Sequence, residues 1–121
     1  MSRGRVLLVD DDPDVREATR DALTDEGYEM IEAADGQAAL NYLRGNPPPH
    51  LVLLDWNMAP MNGAQFMEEA AKDPYLSRIP VILLTADVRA PDKSRGVSFV
   101  GCLMKPIDLD ALFDVLDHYC S

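Results

Sequence analysis

The chain has 121 residues, 47% hydrophobic and 26% charged, which suits a single soluble globular domain spanning residues 1–121. No apolar run approaches the roughly 18 residues of a membrane helix, so membrane insertion is not expected. The net charge of −10 argues against direct nucleic-acid binding, because that binding depends on neutralising phosphates with basic side chains.

The first third of the chain predicts a strand, a helix and an edge strand. Residues 6–9 are a short apolar run typical of a buried strand, and they end in Asp10-Asp11-Asp12. Pro13 can open a helix that runs to about Glu26, with Asp12 as its N-cap and Gly27 as its stop. Its predicted apolar stripe contains Val15, Ala18, Ala22 and Leu23. An edge strand is predicted over residues 28–34.

The remaining elements continue the alternation of helix and strand. A helix is predicted to follow Asp35-Gly36, and apolar runs at 51–54, 81–84 and 99–104 predict three more strands. Helices are predicted at 64–72 and 109–119, the last with Asp108 as its cap. One face of that last helix carries Leu109, Leu112, Phe113 and Leu116. Residues 87–98 form a poor apolar stripe, so a helix there should be short, irregular or mobile. The alternation predicts a parallel sheet with right-handed crossovers.

Reactive side chains follow four of the five predicted strands. The acidic triplet follows the first strand, Asp55 the third, Thr85-Ala86 the fourth and Lys105-Pro106 the fifth. Asp55 alone could equally be a solvated loop carboxylate, but the carboxyl ends of parallel strands share one edge of a sheet, so these groups should converge. Converging carboxylates repel one another and need a cation. Hard oxygen ligands with room for water favour Mg²⁺, or Mn²⁺.

This ordered set of motifs resembles the receiver domains of bacterial two-component response regulators. The resemblance covers about residues 5–119, and the segment Asp55-Trp56-Asn57-Met58 is similar to single-domain chemotaxis regulators. It implies an α/β, flavodoxin-like receiver fold: a doubly wound, five-stranded parallel sheet in the order 2-1-3-4-5. It also implies a cytoplasmic signalling protein that is phosphorylated by a sensor histidine kinase or a histidine phosphotransfer protein.

The resemblance assigns a role to each candidate site residue. It implies that Asp11 and Asp55 bind Mg²⁺ directly, that Asp10 acts mainly through water, and that Asn57 offers its backbone carbonyl. Asp55 is then the nucleophile that becomes an aspartyl phosphate. Lys105, the Thr85 hydroxyl and the Ala86 N–H bind the phosphoryl oxygens. The chain would catalyse only its own phosphorylation and dephosphorylation, and would signal to an unknown protein target.

Three other functions fit parts of the sequence. Asp10, Asp12 and Asp14 begin like a calcium loop, but that loop needs Gly where Val15 stands and Glu where Asp21 stands. A small phosphatase with an aspartate nucleophile would need a second carboxylate two residues after Asp55. A degenerate receiver would act as an unphosphorylated docking module.

The chain departs from the family pattern near the site. Proline stands at position 60 instead of 59, and Cys102 replaces the aromatic residue that is usual three positions before the lysine. The interval from Thr85 to Lys105 is slightly short and contains Pro91. The resemblance further implies a cis Lys105–Pro106 peptide bond. The small polar residues at 57 and 87 imply a short-lived phosphoryl group.

The cysteines and histidines are not predicted to belong to the site. Cys102 and Cys120 lack metal-ligand spacing and form no disulfide framework, which suits a reducing cytosol. His50 precedes a predicted strand and His118 lies in the last predicted helix, both away from the reactive motifs, so each is predicted to be structural or solvated.

Overall fold

The computed structural model of the chain describes residues 3–56, 63–86 and 100–120. Within these ranges, strands and helices follow one another along the chain. They are β1 (Arg5–Val9), α1 (Pro13–Asp25), β2 (Glu29–Ala33), α2 (Gly36–Gly45), β3 (Leu51–Asp55), α3 (Gly63–Ala71), a short 3₁₀ helix (Leu76–Arg78), β4 (Val81–Thr85), β5 (Gly101–Met104) and α4 (Leu109–Cys120). The predicted irregular segment 87–98 lies outside the described residues, as does the displaced proline at 60.

The strands form one parallel sheet in the order β2-β1-β3-β4-β5, which confirms the predicted topology. Val9 of β1 lies opposite Leu54 of β3, so the residues that follow them are adjacent. Thr85 of β4 lies opposite Met104 of β5, immediately before Lys105. The register therefore brings the four reactive strand ends to one edge of the sheet.

The core lies on both faces of the sheet because alternate residues of each strand point in opposite directions. The layer under α2 and α3 includes Leu7, Val9, Val52, Leu54, Phe66 and Leu83. The layer under α1 and α4 includes Val6, Leu8, Leu23, Leu53, Leu84, Leu112 and Leu116. Strands β3 and β4 are buried along their whole length, as expected for central parallel strands.

The ends of the helices follow the predicted capping residues. The Asp12 carboxylate accepts a hydrogen bond from Asp14 N at 2.9 Å, and Asp108 accepts one from Asp110 N at 3.0 Å. Gly27 has φ +89°, a left-handed conformation that favours glycine, and it reverses the chain after α1. Both predicted caps and the predicted stop are confirmed.

Two residues of the predicted apolar faces are exposed. Ala18 of α1 is exposed, and the buried residues of that helix are Thr19 and Leu23, one turn apart. Leu109 of α4 is 46% exposed, whereas Leu112 and Leu116 are buried. Apolar character marks a helix face but not its width, and these two side chains lie at the margin of their faces, beside a surface groove.

The end of the sheet opposite the reactive residues is held by contacts of Arg3 and Tyr28. The Arg3 guanidinium bonds to Asp117 of α4 at 3.0 Å and lies over the Tyr28 ring at 5.0 Å. The Tyr28 hydroxyl donates to the same carboxylate at 2.9 Å. Burial, followed by this hydrogen bond, raises the pKa of Tyr28 to about 12.

His50 also has a structural contact, as predicted. Its Nδ1 accepts a hydrogen bond from the backbone N–H of Arg5 at 3.0 Å, which joins the start of β3 to the start of β1.

Among the described residues, no helix is both long enough and apolar enough to cross a membrane.

Candidate functional site

Three carboxylates converge at the carboxyl edge of the sheet. Asp10 and Asp11 follow β1, Asp55 ends β3, and one oxygen of each lies within 4.8 Å of the others. Asp10 and Asp55 are buried, whereas Asp11 is exposed. At that separation each pair of charges repels by about 3.5 kcal/mol at an effective dielectric constant near 20. The cluster therefore needs positive charge, and Asp11 opens it to solvent.

Both the backbone and the side chain of Asp10 form hydrogen bonds. Its backbone N–H donates to Ala33 O at 3.0 Å, which continues the β1–β2 ladder by one residue. Its Oδ1 accepts from Asp12 N at 3.0 Å, and its Oδ2 accepts from Lys105 Nζ at 2.8 Å. The fully buried carboxylate thus has the partners that burial of a charge requires.

Lys105 is the positive charge nearest to the cluster in the described part of the chain. Its Nζ lies 2.8 Å from Asp10 Oδ2 and 3.4 Å from Asp55 Oδ1, so it bridges two strand ends. Its backbone N–H donates to Thr85 O at 2.9 Å, and its peptide bond to Pro106 is cis, as predicted. Burial alone would lower the pKa of Lys105, but the hydrogen bond to Asp10 and the two carboxylate charges outweigh burial and raise it.

Asp55 lies on a tightly packed backbone. Trp56 follows it, is 8% exposed, and donates its N–H to Leu84 O at 3.0 Å. Gly63, the first residue of α3, donates its N–H to Trp56 O at 3.1 Å. A Cβ on Gly63 would lie 2.7 Å from the Trp56 ring and 3.2 Å from the carbonyl oxygen of Asp55. Only glycine fits this close approach to the backbone of Asp55 without a shift.

Three predicted site residues remain, namely Thr85, Ala86 and Asn57. Thr85 ends β4 and is fully buried, next to the strand that carries Asp55. Ala86 follows it and is exposed. Asn57, the fourth predicted metal ligand, lies outside the described residues. The described site therefore contains Asp10, Asp11, Asp55, Lys105, Thr85 and Ala86 at one sheet edge.

The donor set fits a small hard divalent cation. The three side chains offer only carboxylate oxygens, and neither sulfur nor imidazole belongs to this group. Within the described ranges, Lys105 is the side-chain cation at ion-pair distance from this group, so one ammonium lies beside three carboxylates. The exposed Asp11 leaves space for the water ligands that Mg²⁺ keeps.

Two residues near the site were not predicted. Arg16 of α1 donates from NH1 to the carbonyl oxygen of Asp10 at 2.7 Å, and Gly63 packs on the Asp55–Trp56 backbone. A weak signal for Arg16 is its charge, since a cation near a helix N-terminus is unfavourable unless it has a partner. Gly63 has no such signal, because the sequence does not show which atoms pack against its backbone.

An apolar groove opens beside the site, between α1 and the segment from β5 to α4. It has a volume of about 590 Å³. Its lining residues are Val15, Ala18, Thr19, Lys105, Pro106, Ile107 and Leu109. Ala18 and Leu109, the two exposed residues of the predicted apolar faces, therefore line a surface that adjoins the lysine of the site.

Comparison with known proteins identifies the family. Residues 6–117 match the family model described as response regulator receiver domain. The chain is 36% identical over 93 residues to the phosphate regulon transcriptional regulatory protein PhoB of Escherichia coli, covering 77% of the chain and 40% of PhoB. It thus spans less than half the length of that relative.

Two further proteins match nearly the whole chain. An uncharacterized 14.6 kDa protein in the sodA1 3′ region of Leptolyngbya boryana is 33% identical over 117 residues, covering 95% of this chain and 88% of that protein. The structure of the Vibrio cholerae chemotaxis protein CheY4 superposes with a TM-score of 0.86, at 28% identity and 98% coverage of both chains. The match of the family model, the sheet order and these similarities agree: the chain belongs to the response regulator receiver domain family.

Proposed function

We propose that the chain is a phosphorylation-dependent signalling switch in which Asp55 accepts a phosphoryl group from a histidine kinase or a histidine phosphotransfer protein. Mg²⁺, or Mn²⁺, would be held by Asp10, Asp11, Asp55 and the carbonyl of Asn57. The observation that carries the proposal is the bridge from Lys105 to both Asp10 and Asp55, beside a third, exposed carboxylate. A group of carboxylates around a lysine, exposed to solvent on one side, can bind a metal cation and a phosphoryl anion together.

The chemistry follows from the position of each group. An Asp55 carboxylate oxygen forms a bond to phosphorus while the bond from phosphorus to the donor histidine nitrogen breaks, and the electron pair stays on that nitrogen. Bound Mg²⁺ would supply positive charge to the phosphoryl oxygens. The Lys105 ammonium adds a second positive charge. The Thr85 hydroxyl and the Ala86 N–H donate to the remaining oxygens.

The switch would act in the cytoplasm through protein partners. A net charge of −10 opposes direct binding to nucleic acid, so an unknown downstream protein would recognise the phosphorylated form. In this proposal the chain catalyses only its own phosphorylation and dephosphorylation. The acidic residues and the lysine that the structure describes at the sheet edge favour a phosphoacceptor over a degenerate receiver that only docks.

The apolar groove gives the phosphodonor protein a surface within reach of Asp55. Leu109 lines the groove and is 46% exposed, whereas the equally exposed Met104, at 42%, does not line it. Leu109→Glu should leave labelling by acetyl phosphate unchanged and slow labelling by a histidine kinase that phosphorylates the wild-type chain. Met104→Glu is the matched control and should slow neither reaction.

Intact-mass analysis after treatment with acetyl phosphate and Mg²⁺ tests the proposal. The wild-type chain should gain one phosphoryl group, and neither an EDTA-treated sample nor Asp55→Asn should gain any. The amide is nearly isosteric with the carboxylate but is a poor nucleophile, so the variant should fold normally. Full labelling of Asp55→Asn would place the acceptor elsewhere. Absence of labelling in the wild type would favour the docking module, and turnover of an unrelated phosphoester would favour the phosphatase.

A further inference from the structure

Arg16 makes a direct contact with the turn that carries the acidic pair. Its NH1 donates to the carbonyl oxygen of Asp10 at 2.7 Å, and its Nε lies 3.5 Å from a carboxylate oxygen of Glu32 on β2. The Arg16 side chain is only 19% exposed. Arg20 binds the other oxygen of Glu32 at 2.9 Å but lies one helical turn farther from Asp10. Two arginines thus share one carboxylate, and the nearer one reaches the site.

The Asp10 carbonyl controls the position of Asp11 through the peptide bond. That carbonyl and the N–H of Asp11 belong to one planar unit, so fixing the oxygen fixes the plane from which Asp11 begins. The N–H of Asp10 is also fixed, by its bond to Ala33. With both sides of Asp10 held, Asp11 retains only its own backbone and side-chain torsions. Asp11 is the exposed carboxylate of the cluster and has the greatest freedom to point elsewhere.

We propose that Arg16 is a positioning residue for the divalent cation: it holds the Asp10–Asp11 peptide so that the Asp11 carboxylate faces Asp10 and Asp55. The inference rests on the proposed function only in naming the ion. Residues that orient metal ligands commonly change metal affinity by about 10- to 100-fold when they are removed. Arg16 acts through the backbone of one ligand and is not itself a ligand.

The direction of the change in Mg²⁺ affinity distinguishes a positioning role of Arg16 from an effect of its charge. A guanidinium beside three carboxylates repels an incoming cation, so loss of its charge alone should tighten Mg²⁺ binding. Loss of positioning should weaken Mg²⁺ binding instead. Arg20→Ala is a matched control because it removes the same charge from the same helix and the same Glu32, but leaves the bond to Asp10 intact.

Titration of the full chain with Mg²⁺, followed by the fluorescence of Trp56, measures the affinity. Trp56 is the only tryptophan and is adjacent to Asp55. Arg16→Ala should raise the dissociation constant about tenfold, and Arg20→Ala should leave it at or slightly below the wild-type value. Equal or tighter binding by Arg16→Ala, or equal weakening by both variants, would overturn the proposal.

A second measurement without metal distinguishes failure of this inference from failure of the proposed function. The Asp12 N–H bonds to Asp10 Oδ1 at 3.0 Å and reports on the turn. Its amide hydrogen exchange in EDTA should be faster in Arg16→Ala than in the wild type or Arg20→Ala, with exchange in β1 unchanged. An unchanged Asp12 rate would refute positioning. A wild-type chain whose fluorescence does not respond to Mg²⁺ would instead refute the metal site. Both variants should fold, because alanine is the best helix former.

Discussion

Replacement of Lys105 by methionine should strongly destabilise the metal-free protein. The Lys105 ammonium lies 2.8 Å from Asp10 and 3.4 Å from Asp55, and the exposed fractions of the three side chains are 24%, 0% and 6%. At an effective dielectric constant near 20, the two attractions amount to about 6 and 5 kcal/mol before desolvation is subtracted. Removing one partner from a buried ion pair usually costs about 3–5 kcal/mol. Because Lys105 is partly exposed, we expect about 3 kcal/mol.

Lys72 provides the control because its ion pair has nearly the same length but is open to solvent. Its Nζ lies 3.0 Å from Glu69, and the two side chains are 72% and 39% exposed. Lys72→Met should therefore cost less than about 0.5 kcal/mol. The two ion pairs differ mainly in burial, so the difference between the two losses of stability measures how strongly the buried carboxylates depend on the lysine charge.

Urea unfolding at pH 7 in EDTA, followed by Trp56 fluorescence, gives the free energies of unfolding. Repeating the measurement with Mg²⁺ should reduce the deficit of Lys105→Met, because the cation supplies the charge that the lysine supplied. Equal destabilisation by Lys105→Met and Lys72→Met would refute the ion-pair argument. A deficit that Mg²⁺ leaves unchanged would refute the cation site.

Three further predictions follow from individual contacts. Mg²⁺ at ten times its dissociation constant should stabilise the wild type by about 1.4 kcal/mol in thermal melts, and Asp11→Ala should lose that gain. Equal gains in both would place the ion elsewhere. Gly63→Ala, whose Cβ would clash with the Trp56 ring, should cost about 1–3 kcal/mol in urea and slow labelling by acetyl phosphate. Gly45→Ala, which meets no atom within 4 Å, should do neither. Tyr28 has a pKa raised from 10.0 to about 12, so its contribution to stability is present below pH 10 and is lost as the pH rises towards 12. The stability difference between wild type and Tyr28→Phe should therefore close over that interval, by at most about 2.7 kcal/mol, and a constant difference would contradict the shift.

The fold and the composition of the site could be predicted because both depend on periodicity along single segments. Buried parallel strands appear as short apolar runs, and the residue after each run must lie at the carboxyl edge of the sheet. Asp10, Asp55 and Lys105 each follow such a run. The register of the sheet then brings them together without further information.

The contacts within the site could not be predicted because they depend on side-chain torsions and on packing between distant segments. Lys105 Nζ lies closer to Asp10 than to Asp55, although β5 is nearer to the strand of Asp55 in the predicted order of the sheet. Arg16 reaches the carbonyl oxygen of Asp10, six residues earlier in the chain, through the torsions of its own side chain. The exposure of Ala18 and Leu109 could not be predicted either, since an apolar pattern does not show where the covering layer ends.

The central claim is that the carboxylate of Asp55 carries the phosphoryl group, and chemical trapping tests it most directly. Borohydride reduces an aspartyl phosphate to homoserine but does not reduce a free carboxylate. After labelling with acetyl phosphate and Mg²⁺, reduction and peptide mass analysis should find homoserine at position 55 and intact aspartate at positions 10 and 11. Homoserine at 10 or 11 instead of 55, or labelled protein with no reducible aspartate, would contradict the assignment of Asp55 as the phosphoacceptor.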